Sequence, residues 1–153
     1  MTANPIEDIL RRNHVDFQQI DISQILCFMS IPNNVKEYLN CMGKTIKWHI
    51  TQYGSAWTTL YSINDLMDYQ ETVCSDNNLL VIGNGLNGDI ITINLKNSHV
   101  GYIFHDDLWE DNYSTIEDIY RELPFRIETF LQMVFETESY PIDGTMAEEM
   151  ISQ

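Results

Sequence analysis

Residues 79–107, LLVIGNGLNGDIITINLKNSHVGYIFHDD, constrain the fold more than any other stretch of the chain. Gly83, Gly85 and Gly88 are spaced G-x-G-x-x-G directly after an apolar run, which is the dinucleotide-binding fingerprint. That fingerprint needs a helix to open at the glycines, because the pyrophosphate sits on the helix N-terminus. Here Ile91, Ile93 and Leu95 instead alternate with Thr92 and Asn94, in a run rich in β-branched residues. Period two predicts a half-buried strand. The motif is therefore strand, turn, strand, with the glycines structural and supplying positive φ in a tight hairpin. A second turn at Lys96-Asn97-Ser98-His99 leads to Val100, Tyr102 and Phe104 on one face of a third strand, so a meander is expected over residues 79–105. Protein kinases also lay a glycine-rich hairpin over phosphates, but the chain carries no V-A-I-K strand, no H-R-D followed by a catalytic Asn and no D-F-G. No nucleotide or other cofactor is expected.

The flanks of the meander read as helical. Asn4 precedes Pro5, with Ile6, Ile9 and Leu10 on one face. Ile22, Ile25, Leu26 and Met29 suggest a second helix, and Val35, Tyr38, Leu39 and Met42 a third that stops near Gly43. Ile46, Trp48 and Ile50 then alternate, Gln52-Tyr53-Gly54-Ser55 reads as a turn, and Trp57, Thr59 and Tyr61 alternate again, predicting a hairpin. Ser62 caps a short helix with Ile63, Leu66 and Met67 inward. Beyond the meander, residues 106–113 read as an acidic loop. Ser114-x-x-Glu117 reads as the cap of a helix burying Ile116, Ile119, Tyr120 and Leu123, which Pro124 breaks. A last helix buries Ile127, Phe130, Leu131 and Val134. Helices, antiparallel strands, then helices make an α+β domain over residues 1–136, an antiparallel β-sheet with helices packed on one face. Residues 137–153 read as a loosely ordered tail, with Thr145-x-x-Glu148 able to cap a short turn.

Charge narrows the partners. The chain holds 23 acidic and 8 basic residues, a net of −15. Residues 106–153 alone carry thirteen acids against Arg121 and Arg126. No nucleic acid partner is expected, since phosphate binding needs clustered Lys and Arg, whereas a negative field attracts basic proteins. Within the acidic segment, Trp109 and Tyr113 lie among Asp106, Asp107, Glu110, Asp111, Glu117 and Asp118. Aromatics flanked by acids on a connecting segment have the composition of a protein-binding patch, and these eight residues are the candidate site. No membrane association is expected, because no apolar run approaches the roughly 20 residues of a bilayer span. MTANPIEDILRR has acids and arginines where a signal peptide has its apolar core, so a cytoplasmic location is expected.

Chemistry-bearing constellations are not signalled. Cys27, Cys41 and Cys74 are odd in number, far apart and without a C-x-x-C, and read as reduced core cysteines. Of His14, His49, His99 and His105, only the last two are close in sequence, and no metal site is expected from them. No G-x-S-x-G elbow is present, and no catalytic residue is assigned.

Four segments in this order resemble the SUKH superfamily: SIPNNVKEYL at 30–39, LYSINDLMDY at 60–69, the meander at 79–107, and FRIETFLQMV at 125–134, where Ile127-x-x-Phe130-Leu131 is similar to a Phe-x-x-Phe-Leu pattern. The resemblance spans roughly residues 20–135. It implies a compact SUKH-like α+β domain without enzymatic activity. Bacterial members are typically immunity proteins that neutralise secreted toxins, often nucleases; fungal relatives regulate cell-wall glucan synthesis. The implied partner is a basic toxin domain, with a regulatory scaffold as the other role and the oligomeric state open.

Overall fold

The computed structural model describes residues 4–23, 30–49, 57–137 and 139–152. The expected second helix falls mostly outside these residues, as do the 52–55 turn and Cys27. Six strands form one antiparallel sheet in sequential order: β1 (Ile46–His49), β2 (Trp57–Leu60), β3 (Leu79–Asn84), β4 (Ile90–Asn94), β5 (His99–Ile103) and β6 (Tyr120–Arg126). Helices precede, punctuate and follow it, so the fold is α+β. They are α1 (Pro5–Arg12), α2 (Asn33–Leu39), α3 (Ile63–Asp68), α4 (Thr72–Asp76), α5 (His105–Trp109), α6 (Ile127–Gln132) and α7 (Gly144–Ile151).

Local signals set several of these elements. Asn4 Oδ1 accepts the amides of Ile6 (2.9 Å) and Glu7 (3.2 Å) and starts α1, leaving Ile6, Ile9 and Leu10 buried. Ser62 Oγ accepts the Asp65 amide and starts α3. In the hairpin β3–β4, Gly88 holds φ at +93°, the left-handed region that glycine enters without steric cost.

Register divides the sheet into two faces. Leu60 pairs with Gly83, Gly83 with Ile91, Ile91 with Tyr102 and Tyr102 with Arg121. This face carries the main core. Helices α1, α2 and α6 pack on one another, and the segment after α6 returns across the strands. There the Tyr140 hydroxyl shares a 2.5 Å hydrogen bond with Thr58 Oγ1, Tyr102 donates to the Pro141 carbonyl, and Trp48 meets Phe135 edge-on at 4.7 Å. The opposite face runs Thr59, Asn84, Ile90, Ile103 and Tyr120.

Strand β2 ends at Leu60 and leaves part of β3 without a neighbour. The Gln70 side chain fills that place. Its Oε1 accepts the Val81 amide at 3.0 Å and its Nε2 donates to the Val81 carbonyl at 2.8 Å, so a primary amide stands where a backbone peptide would. Cys41 and Cys74 are buried free thiols, and burial pushes their pKa values up to about 11 and about 12.

Three sequence expectations are corrected. The helix expected over 114–123 is a 3₁₀ turn (Ile116–Asp118) followed by β6. The open edge of β5 recruits this segment, and Pro124 is tolerated because β6 is the edge strand and Pro124 falls where its register shifts. The acidic loop opens instead as the helix α5. The tail expected to be loose packs firmly. Tyr140 and Ile142 are core residues, and Asp143 accepts the Met146 amide at 2.8 Å to cap α7, which buries Ala147 and lies against β5 and β6.

Candidate functional site

The sheet face opposite the main core forms the floor of a cleft of about 470 Å3. Thr59, Val81, Asn84 and Ile90 make the floor, and Thr45, Lys47, Asp65, Glu71, Gly88 and Trp109 complete the lining with a tyrosine pair. Tyr61 and Tyr69 stack with centroids 4.4 Å apart and planes 14° apart. The inner ring is pinned, since its hydroxyl accepts from Asn84 Nδ2 at 2.7 Å. The outer ring, Tyr69, is 52% exposed, and Trp109 is 63% exposed. Trp57, also exposed, lies on the same sheet face two residues from Thr59 and packs against His49 at 4.9 Å.

Trp109 is aimed by a buried carboxylate. Asp89, 2% exposed, follows Gly88 at the end of the turn. Its Oδ1 accepts the His105 amide at 3.1 Å and pairs with His105 Nδ1 at 2.6 Å; its Oδ2 accepts the Gly144 amide at 2.8 Å and Asn87 Nδ2 at 3.2 Å. One side chain thus joins the glycine turn, the start of α5 and the start of α7. The ring it fixes, His105, contacts Trp109 edge-on at 5.2 Å and Asp106 through Nε2 at 3.0 Å. Among the described residues no cluster of three or more His, Cys, Asp and Glu side chains is arranged to hold a metal ion.

The glycine motif resolves into two separate jobs. Gly88 alone supplies positive φ. A Cβ on Gly83 would strike the Thr59 carbonyl, and one on Gly85 the Ile142 carbonyl, so these two admit neighbouring backbone rather than a turn conformation. No helix follows them; the next element is β4.

The eight residues predicted as a partner surface separate on folding. Trp109 lines the cleft, and Asp106, Glu110 and Asp111 are exposed beside it on and after α5. Asp107 is half-buried and accepts from Asn112 Nδ2 at 3.1 Å. Tyr113 is half-buried and packs against the core, which removes it as an open aromatic anchor. Glu117 and Asp118 sit on the 3₁₀ turn. Asp118 is committed to structure: Oδ2 accepts the amides of Ser114 (2.8 Å) and Thr115 (3.1 Å), and these bonds hold its carboxyl below the usual carboxylate range. A depressed folded pKa contributes stability above the unfolded value of about 3.9 and loses it as pH falls through the folded value. NMR titration should therefore give Asp118 a midpoint below that of Asp in an unstructured peptide; an equal midpoint refutes the capping role. Tyr61, Tyr69, Lys47 and Glu71 escaped sequence reasoning, because they come from three segments with no shared motif.

No family model, curated protein or solved structure matches the chain. No helix among the described residues is long and apolar enough to cross a membrane.

Proposed function

We propose that this chain is a non-enzymatic binding protein for a basic protein, and that it acts as an immunity protein, occupying the positive groove of a secreted, nuclease-type toxin. The observation that carries the reading is Trp109, 63% exposed at the mouth of a concave surface and followed directly by two exposed acids. A solvated indole among carboxylates gains most when a partner desolvates it. The net charge of −15 steers a cationic partner toward it and rejects nucleic acid. The SUKH resemblance supports the immunity role.

The experiment expresses the product of the neighbouring gene with and without this chain and measures growth and binding. The expected result is a toxic basic protein, silenced by co-expression and bound directly. Changing Asp106, Asp107, Glu110 and Asp111 to their amides is expected to slow association and flatten its salt dependence. Trp109→Ala is expected to speed dissociation, at about 2 kcal/mol or more. Folded variants that associate and dissociate like the parent place the interface elsewhere. A neighbouring product that neither binds nor poisons the cell overturns the immunity role.

A further inference from the structure

The structure assigns an occupant to the cleft between the tyrosine stack and Trp109: an arginine side chain of the basic partner. This rests on the reading that the surface binds a basic protein, and it names what enters. The volume of about 470 Å3 lies within the roughly 300–1,000 Å3 of ligand clefts. Val81 and Ile90 give the floor an apolar strip suited to a methylene stem. Tyr69 and Trp109 offer exposed rings, and a planar guanidinium stacks on such rings better than an ammonium does.

The carboxylates choose the head group. Asp65 already accepts from Thr45 Oγ1 at 2.6 Å. Glu71 is half-buried in the lining and its carboxylate has no hydrogen-bond or ion-pair partner among the described residues. It is left to accept two parallel N–H donors, the geometry that guanidinium presents. Lys47 is the one cation of the lining among the described residues; on β1 beside Thr59 it repels a second cation and directs the head group toward Glu71. A neutral polar guest would leave Glu71 desolvated and unpaired, which is unfavourable.

The test titrates acetyl-Gly-Xaa-Gly-amide, with Xaa arginine, lysine or citrulline, into the isotope-labelled full chain and follows it by NMR. Citrulline keeps the shape of arginine without its charge. The arginine peptide is expected to shift the Trp109 indole N–H and the Tyr69 ring saturably, lysine more weakly, and citrulline not at all. Glu71→Gln is expected to weaken arginine binding about tenfold, the loss of a charge-assisted pair. Tyr69→Leu, at an exposed position, is expected to weaken it severalfold while the amide spectrum stays that of the folded chain. Equal shifts from citrulline, or unchanged binding in Glu71→Gln, overturn the assignment. Shifts confined to Asp106–Asp111, with none at Tyr69, overturn the cleft while leaving the acidic-surface reading standing.

Discussion

Asp89→Ala is expected to cost about 3–5 kcal/mol of stability, because it strips several donors of their acceptor at about 1–3 kcal/mol for each one left buried and unpaired. The carboxylate holds four donors from Asn87, His105 and Gly144, and two of them, the part-buried His105 amide and the buried Gly144 amide, are backbone groups. Truncation leaves those donors unpaired in a buried space, so the loss is their desolvation penalty rather than the modest net worth of a hydrogen bond. Equilibrium urea unfolding measures it. Native-state hydrogen exchange adds location: the amides of α7 should exchange faster in the variant while those of β3 and β4 keep their relative protection. A loss under about 1 kcal/mol would falsify the view of Asp89 as the joint between the turn, α5 and α7.

Gly83→Val is expected to cost about 3 kcal/mol, the upper part of the usual range for forcing atoms into a filled space. The Cβ has nowhere to go because the Thr59 carbonyl occupies its place, and that carbonyl belongs to the strand partner. Relief requires parting β2 from β3, which pair at only two positions, Thr59 with Asn84 and Leu60 with Gly83. Gly88→Val is the internal comparison. There the new Cβ meets the His105 ring at 3.6 Å, an ordinary contact, and the cost comes chiefly from the unfavourable φ, about 1 kcal/mol or more. Urea unfolding of both variants ranks them. A Gly83→Val protein as stable as Gly88→Val would show that the backbone approach at Thr59 yields easily.

The same two sites show what was legible in the sequence. Alternation at Ile91, Ile93 and Leu95 reported the strand directly, because each side chain's face is set by its own backbone. The caps at Asn4 and Ser62 were equally local. Strand β6 was not legible, since Ile116, Ile119, Tyr120 and Leu123 satisfy a helical period, and the β5 edge that draws Tyr120 and Leu123 into the sheet lies about twenty residues away in the pattern of another segment. Asp89 was one acid among 23; its importance comes from Gly144, fifty-five positions later. The candidate site was half legible. Composition picked out Trp109, but the cleft beside it required Tyr61 and Tyr69 to stack and Glu71 to be left without a partner among the described residues, which only the assembled sheet decides. Tyr113, its neighbour in composition, packs half-buried against the core instead.

The Gln70 amide against β3 has a consequence for how the protein behaves in a crowded cell. A strand with bare N–H and C=O groups is a template on which any extended chain can grow, including another copy or an unfolding neighbour. Where β2 stops short, β3 presents such a template on Val81, inside one of the most apolar runs of the molecule. Gln70 acts as a strand one residue long. It occupies both hydrogen-bonding groups of Val81 and offers no backbone of its own onto which a further chain could register. The sheet face beside Val81 can thus stay open to solvent without inviting polymerisation at its rim.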